Sequence, residues 1–248
     1  MKIGISALVY EIDKAIEICK NTNEINHIEI GIDNIKQCSD VLKYKDEFKN
    51  LDISISLHLP MELNPCEDVD YIRDKWREYI NILQNSLSEL NIKYMNMHLG
   101  YVMSSRLFKN REKYLKNCVE FLDKLESQIP ITIENTYSNK GDFSNVGNNA
   151  GDFEYIFNNT NNNKVYFCYD TGHNLINSSN YLQILKDKIK VVHLSDNDGI
   201  NDSHMGIGKG ILKIDELKEI NNIEVEYLIL EIIYKDIQST INNIKVFI

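Results

Sequence analysis

The sequence of 248 residues contains no long hydrophobic run. No stretch approaches the roughly 18 consecutive apolar residues that a membrane-spanning helix needs, so we expect no transmembrane segment. The apolar run in the N-terminal MKIGISALVY is too short for a signal peptide. The five cysteines form no CxxC pair, which indicates buried thiols in a reducing compartment. These absences predict a soluble cytoplasmic protein.

Positive charge is also scarce, because 27 Lys and Arg residues face 37 Asp and Glu residues and the formal net charge is −10. Nucleic acids and anionic lipid surfaces bind broad basic surfaces, so this balance argues against both partners, although a local basic groove stays compatible with it. A glycine-rich dinucleotide loop after the first predicted strand is missing as well, since GISALVYEID has a single glycine. A dinucleotide-binding protein is therefore not expected.

The sequence does contain short apolar runs rich in β-forming residues, and these alternate with stretches of helical spacing. The clearest helices are predicted at 67–90 and 114–125. Such alternation predicts parallel strands, and the length is close to the roughly 250 residues of a (β/α)₈ barrel. We predict an α/β (β/α)₈ TIM barrel as a single domain over 1–248, with an open doubly wound sheet as the alternative. The eight strands are expected at 2–6, 27–31, 52–58, 93–99, 130–135, 164–170, 189–195 and 226–232.

Ionisable side chains recur where these predicted strands end, and five of the six histidines belong to this set. The carboxyl ends of barrel strands share one mouth, where unpaired imidazoles and carboxylates are costly to desolvate. A divalent ion such as Zn²⁺, Mn²⁺ or Co²⁺ would remove that cost. One residue alone has a simpler explanation, since Asp170 resembles a helix N-cap. The recurrence favours a metal site built from His58, His98, Glu134, Asp170, His173, His193, Asp202, His204 and Glu231.

The same segments resemble the xylose isomerase-like barrel superfamily. This superfamily includes sugar-phosphate isomerases and epimerases and also the endonuclease IV type of apurinic-site nuclease. Each segment is short, and the specificity lies in their order along most of the chain. The segments are LHLP (57–60), MHLG (97–100), IENT (133–136), YDTGHN (169–174), VVHLSDNDG (191–199), DSHMGIGKG (202–210) and LILEI (228–232).

The resemblance implies roles for individual residues. Glu134 and Glu231 would be the catalytic acid/base pair and would also bind the metal together with Asp170 and His193. His173 would contact the substrate, and we place His58 and His98 beside it in that role. In the nuclease branch the metal cluster is larger and would hold three ions. The three ligand sets would be His58, His98 and Glu134; Glu134, Asp170, His193 and Glu231; and His173, Asp202 and His204.

The glycine-rich turn GIGKG (206–210) offers backbone N–H groups and Lys209 for a sugar phosphate, and a flexible turn is the equal alternative. Phosphate backbones require clustered basic residues. Near the expected mouth we find only Arg106, Lys109, Arg111, Lys140 and Lys209.

Departures from the nuclease pattern favour a small-molecule enzyme. The loop GIDNIKQCSD (31–40) has neither arginine nor an aromatic residue for DNA, and HIEIG places Glu29 near the mouth as in isomerases.

We expect a divalent-metal-dependent isomerase or epimerase of a sugar or sugar phosphate, which removes a proton next to a metal-polarised carbonyl. The alternative is an endonuclease IV-like zinc phosphodiesterase cleaving DNA at apurinic/apyrimidinic sites. A non-catalytic binding protein is disfavoured by the complete carboxylate pair. The sugar, the metal and the oligomeric state stay open.

Overall fold

A computed structural model describes residues 1–138 and 141–245, so Lys140 lies outside the described residues. Within them, the barrel strands are β1 (Lys2–Leu8), β2 (Ile25–Gly31), β3 (Ser54–His58), β4 (Ile92–Met97), β6 (Ile131–Glu134), β8 (Val165–Asp170), β9 (Ile189–Leu194) and β10 (Tyr227–Leu230). These eight parallel strands close a barrel in the order β1-β10-β9-β8-β6-β4-β3-β2, which confirms the predicted (β/α)₈ fold and excludes an open sheet. The extent of the domain over 1–248 stays a prediction.

Two further strands, β5 (Tyr101–Met103) and β7 (Phe143–Asn145), form a separate antiparallel ribbon. Among the described residues, no helix has both the length and the apolar character that crossing a bilayer requires. The helices are α1 (Ile12–Asn21), α2 (Cys38–Leu42), α3 (Lys45–Asn50), α4 (Asp70–Ser86), α5 (Ser104–Asp123), α6 (Ala150–Asn159), α7 (Thr171–Ile176), α8 (Tyr181–Ile184), α9 (Ile214–Asn221) and α10 (Ile237–Ile244).

The two predicted helices differ from the observed ones at their ends. Helix α4 starts later than 67, because Glu67 Oε1 accepts the backbone N–H groups of Asp68 (2.7 Å) and Val69 and holds a turn there. The predicted helix 114–125 is the second half of α5, which begins at Ser104 and bends at Asn110. The first half escaped prediction because it buries little: Phe108 is 92% exposed.

The alternation of side chains along the strands builds the barrel interior in layers, because every second residue points inward. Tyr94, Cys168, Val191 and Ile229 form a small apolar cluster separate from the main core. Two residues further along β8, β9 and β10 come Asp170, His193 and the position of Glu231. The apolar layer therefore supports a polar layer at the carboxyl ends of the strands.

The floor of the barrel holds His27, the one histidine outside the predicted site. Its Nδ1 lies 2.9 Å from Ser54 Oγ and its Nε2 lies 2.8 Å from Ser56 Oγ. Burial lowers the pKa of His27 to about 3, assisted by the charges of Lys2 and Lys93, so its imidazole is neutral. His27 is a hydrogen-bonded core residue.

Asp196 anchors the loop that follows β9. Its backbone pairs with Met205, and its buried carboxylate accepts four backbone N–H groups. Oδ2 accepts those of Gly208 (3.1 Å) and Gly210 (2.8 Å), and Oδ1 accepts those of Asn197 and Leu212. This fixes the segment that carries Asp202 and His204 over the barrel mouth.

We therefore expect Asp196→Asn to lower the free energy of unfolding by roughly 2–4 kcal/mol. The amide NH₂ of Asn would face two backbone N–H groups, which would lose their acceptor, and the negative charge of the carboxylate would also be lost. Urea unfolding followed by circular dichroism measures this change. The exposed Asp187→Asn is the matched control and should stay within about 0.5 kcal/mol of the wild type. Equal stability of both variants would contradict the anchoring role.

Candidate functional site

Three of the four predicted metal ligands converge at the barrel mouth around the Nδ1 atom of the fourth, His193. The nearest oxygen is Glu231 Oε2 at 2.8 Å, followed by Glu134 Oε2 at 3.5 Å and Asp170 Oδ2 at 3.9 Å. One donor atom from each of the four residues lies within 4.8 Å of all the others. Parallel strands ending at one edge bring them together, since Asp170 and His193 are partners in the β8–β9 register.

These donors fit a divalent ion. His193 is fully buried, and neither of its ring nitrogens has a hydrogen-bond partner in the described part of the chain. The 2.8 Å separation from Glu231 therefore lies outside hydrogen-bond geometry, although the atoms are close. An orphaned buried imidazole nitrogen is costly unless it has a ligand. One imidazole and three carboxylates suit Zn²⁺, Mn²⁺ or Co²⁺.

Glu29 contacts the opposite nitrogen of the same imidazole. Its Oε1 lies 2.9 Å from His193 Nε2, and both residues are buried. The two atoms are close but outside hydrogen-bond geometry, so Glu29 contributes a negative charge beside the ring, at the position from which carboxylates orient metal-binding histidines. The sequence placed Glu29 near the mouth but did not reveal this contact, because β2 and β9 are not neighbouring strands.

A second group of donors adjoins the first and shares Glu134. It consists of His58, His98 and Glu134. His58 Nε2 lies 3.3 Å from Glu134 Oε2, and His98 Nε2 lies 3.5 Å from Glu134 Oε1. The Nε2 atom of His98 is also buried without a hydrogen-bond partner among the described residues. These three residues can hold another ion.

The third predicted set meets on one oxygen atom. Asp202 Oδ2 lies 3.2 Å from His173 Nε2 and 3.5 Å from His204 Nε2. All nine predicted positions thus face one mouth. This part of the site depends on the loop that Asp196 anchors.

Two asparagines that the sequence analysis missed hold the ligands in place. Asn96 donates to Glu134 Oε2, and its own Oδ1 accepts the Thr132 hydroxyl at 2.7 Å. Asn135 Oδ1 accepts the backbone N–H of Asp170 at 2.7 Å. The sequence could have predicted Asn96 at this site, because Asn96 precedes His98 by two residues and its side chain therefore points to the same side of the strand.

The charges of the buried groups compensate one another. Burial would raise the pKa of Glu134, but the charges of His193 and His98 outweigh it and hold this pKa well below its usual range. Burial would likewise raise the pKa of Glu231, yet the charge of His193 and contact with it lower that pKa to about 2. Burial raises the pKa of Asp170 to about 7, with Glu134 and Glu231 adding to the effect. Of these three carboxyls, Asp170 is the one whose pKa is raised rather than lowered.

The predicted basic contacts lie apart from this cluster. Lys209 Nζ is 2.6 Å from Asp236 Oδ1, which places its ammonium group on a carboxylate of the protein. Its role in substrate binding stays a prediction. Arg111 likewise pairs with the buried Asp152 at 2.6 Å.

An inner cavity of about 780 Å³ opens above the cluster. Its polar wall includes Glu29, His58, Glu134 and Glu231, while Leu8, Met61, Ile232 and Ile233 form an apolar wall. This volume is within the range of roughly 300–1,000 Å³ that is typical of small-molecule sites. The arrangement can hold one small polar molecule against a metal and two carboxylates.

Comparison with known proteins decides the family. The sequence pattern of the family described as xylose isomerase-like TIM barrel matches residues 15–245. The chain belongs to this family. A relative, the uncharacterized protein MJ1614 of Methanocaldococcus jannaschii, is 28% identical over an alignment that covers 99% of this chain and 98% of the relative.

Solved structures share the fold of this family member. A D-tagatose 3-epimerase-like protein is 21% identical, covers 100% of this chain and 97% of its own, and superposes with a TM-score of 0.84. The TTHB071 protein of Thermus thermophilus, soaked with ZnCl₂, is 15% identical, covers 100% and 98% of the two chains and has a TM-score of 0.75. At these identities the likeness concerns the barrel alone.

We expect Glu29→Gln to weaken Co²⁺ binding about tenfold, because the neutral amide supports the basicity of His193 less than a carboxylate does. Competition with a chromophoric chelator measures the affinity directly, without an assay of activity. Glu17→Gln, at an exposed position of α1, is the control and should bind Co²⁺ as the wild type does. Unchanged affinity in Glu29→Gln would show that Glu29 does not position His193.

Proposed function

We propose that the protein is a divalent-metal-dependent isomerase or epimerase of a small sugar or sugar phosphate. The observation that carries this proposal is that the carboxylates of Glu134 and Glu231 both lie close to His193 Nδ1, at 3.5 Å and 2.8 Å, at the bottom of the inner cavity. Membership of a family whose solved neighbours include sugar epimerases supports it. The five free thiols support the proposed cytoplasmic location.

The proposed reaction is proton transfer at a carbon beside a carbonyl group. A metal bound by Glu134, Asp170, His193 and Glu231 would polarise the carbonyl and the neighbouring hydroxyl oxygen. One carboxylate, Glu134 or Glu231, takes the proton from carbon; that same group then returns it to the next carbon, or the other carboxylate, which must enter the cycle protonated, delivers its own proton to the opposite face. The aliphatic side chains of Leu8, Ile232 and Ile233 line the cavity beside this exchange.

The histidines that surround the reacting site hold the substrate. His58, His98 and His173 line the inner cavity, and we assign them to the hydroxyl groups of the sugar. Hydrogen bonds fix two of these rings, since His58 Nδ1 is 2.9 Å from the Leu59 carbonyl and His173 Nδ1 is 2.8 Å from the Asn135 carbonyl. Each ring therefore directs its Nε2 atom away from the backbone.

A second candidate function is an endonuclease IV-like phosphodiesterase. The specific observation in its favour is the adjoining group of His58, His98 and Glu134, together with the meeting of His173 and His204 on Asp202. Several ions held side by side would suit attack of water on a phosphodiester. Of the basic residues expected near the mouth, Lys209 and Arg111 are engaged by the carboxylates of Asp236 and Asp152, which weakens this alternative. The expectation missed Lys14 and Lys235, which line the inner cavity and are available to a phosphate in either function.

We expect Glu134→Gln and Glu231→Gln each to reduce turnover at least about 10³-fold, because each change removes a metal ligand and a proton-transfer group together. The assay is exchange of substrate C–H hydrogen with solvent deuterium, with circular dichroism to verify folding. Glu154→Gln on the exposed face of α6 is the control and should retain full activity. Normal turnover in either active-site variant would remove that residue from the mechanism.

A direct comparison of substrates separates the two candidate functions. Metal-loaded protein is incubated with a panel of ketoses and ketose phosphates in D₂O, and separately with abasic duplex DNA at low salt, which favours phosphate contacts. We expect C–H exchange that a chelator abolishes and Mn²⁺, Co²⁺ or Zn²⁺ restores, with no incision of DNA. A single tightly bound ion per chain is expected on metal analysis. Rapid metal-dependent incision at the abasic site, without exchange on any sugar, would establish the nuclease instead.

A further inference from the structure

A second cavity adjoins the inner one on the far side of the metal-binding histidines. This outer cavity measures about 510 Å³ and shares Met61, His98, His173 and Asp202 with the inner cavity. Both volumes lie within the range of roughly 300–1,000 Å³ that is typical of small-molecule sites, so each has room for a separate group. A molecule bound at the cluster can extend past His98 and His173 into the outer cavity.

The β5–β7 ribbon forms the outer wall. Its register pairs Tyr101 with Asn145 and Met103 with Phe143, so these side chains occupy one face of the ribbon. Tyr101, Phe143 and Asn145 line the outer cavity. The rings of Tyr101 and Phe143 meet edge to face with centroids 5.9 Å apart, and Phe143 is 60% exposed. Exposed aromatic faces beside a polar cavity are suited to stacking on the C–H face of a sugar ring.

The ribbon is held in place before any ligand binds. Asn64 Nδ2 donates to the Tyr101 carbonyl at 3.0 Å, and Ser138 Oγ accepts the Asn145 N–H at 2.8 Å. Gly100 has φ +89°, and a Cβ there would lie 1.9 Å from Asn64 Oδ1, so only glycine allows this close approach. The wall of the outer cavity is thus preorganised.

Polar atoms without partners lie in the same wall. Thr136 is 3% exposed, and its Oγ1 has no hydrogen-bond partner among the described residues. Asp202 Oδ1 is buried in the same unsatisfied state. Buried polar atoms are normally hydrogen-bonded, so these two oxygens indicate a ligand that carries hydroxyl groups.

The charges favour a neutral ligand. The described lining contains the carboxylates of Glu62 and Asp202 and no lysine or arginine, and the imidazole of His173 in the same lining is paired with Asp202 at 3.2 Å. Like charges would repel a phosphate or carboxylate group here, whereas hydroxyl groups donate readily to carboxylates. Aromatic faces, unsatisfied oxygens and negative charge together match a neutral polyhydroxylated ring.

We propose that the outer cavity binds the glycosyl ring, here called the second ring, of a glycosylated ketose whose ketose unit reacts in its open-chain form in the inner cavity. This inference rests on the proposed isomerase or epimerase function and specifies its substrate class. The second ring stacks on Tyr101 and Phe143 and donates hydroxyl hydrogen bonds to Asp202 and Thr136.

The test compares D-fructose with maltulose and isomaltulose, in which a glucosyl ring is added and C1 to C3 of the ketose stay free. Calorimetric binding to metal-loaded protein should show at least one glycoside binding about tenfold or more tighter than fructose. Phe143→Ala should remove most of that gain, and so should Thr136→Val, which keeps the side-chain shape and deletes only the unpartnered hydroxyl. Phe108→Ala, an exposed aromatic of α5 outside both cavities, is the control and should keep the gain.

Deuterium exchange on the same three sugars separates this inference from the proposed function. Phe143-dependent glycoside binding without exchange on any sugar would uphold the outer site and contradict the isomerase or epimerase. Exchange on fructose, with no gain from the second ring or with a gain that survives both cavity variants, would overturn the outer site alone. Failure of both glycosides to bind overturns it as well.

Discussion

The carboxylate of Glu134 is the group on which the rest of the site depends. It is 1% exposed and has four histidines within 3.5 Å, namely His58, His98, His173 and His193. An ionised carboxylate at this depth is stable only when charge and hydrogen bonds compensate its lost hydration. The histidines at the ends of the neighbouring strands supply that compensation, and both adjoining donor groups share Glu134. The site is therefore one electrostatic unit, in which removal of Glu134 would take away the carboxylate that both His58 and His98 contact.

The barrel supports this unit through layers that differ in polarity. Tyr94, Cys168, Val191 and Ile229 fill part of the interior below the cluster. Polar contacts pass beside this layer: Thr132 donates to Asn96, which donates to Glu134, and Glu29 contacts both His193 and, at 3.5 Å, Ser56 Oγ of the polar floor. The apolar layer and these polar contacts together orient the ligands from below.

The two cavities divide the mouth by chemistry. The inner one combines the ligand cluster with aliphatic residues, which suits proton transfer on a small molecule held against the cluster. The outer one combines aromatic rings with unsatisfied oxygens, which suits recognition. Because His98, His173 and Asp202 belong to both walls, binding in the outer cavity and orientation at the cluster are physically linked.

The sequence by itself determined the barrel fold and which ionisable residues lie at the carboxyl ends of its strands. Eight apolar runs located the strands, and parallel strands place their carboxyl ends at one edge, so residues such as His58 and Glu231 could be assigned to one site without coordinates. Strand ends were reliable because buried strands end where polarity begins. The start of α5 was missed because its first turns expose apolar residues such as Phe108.

Only the tertiary structure decided the contacts that cross the barrel or join distant loops. Glu29 contacts His193 from a strand that does not neighbour the strand of His193, and the Lys209 ammonium group forms an ion pair with the Asp236 carboxylate. The β5–β7 ribbon consists of two three-residue strands, which are too short to leave a periodic pattern in the sequence. Hydrophobic periodicity records which face of an element is buried, whereas the partner across a closed barrel depends on strand order and register, which no single segment encodes.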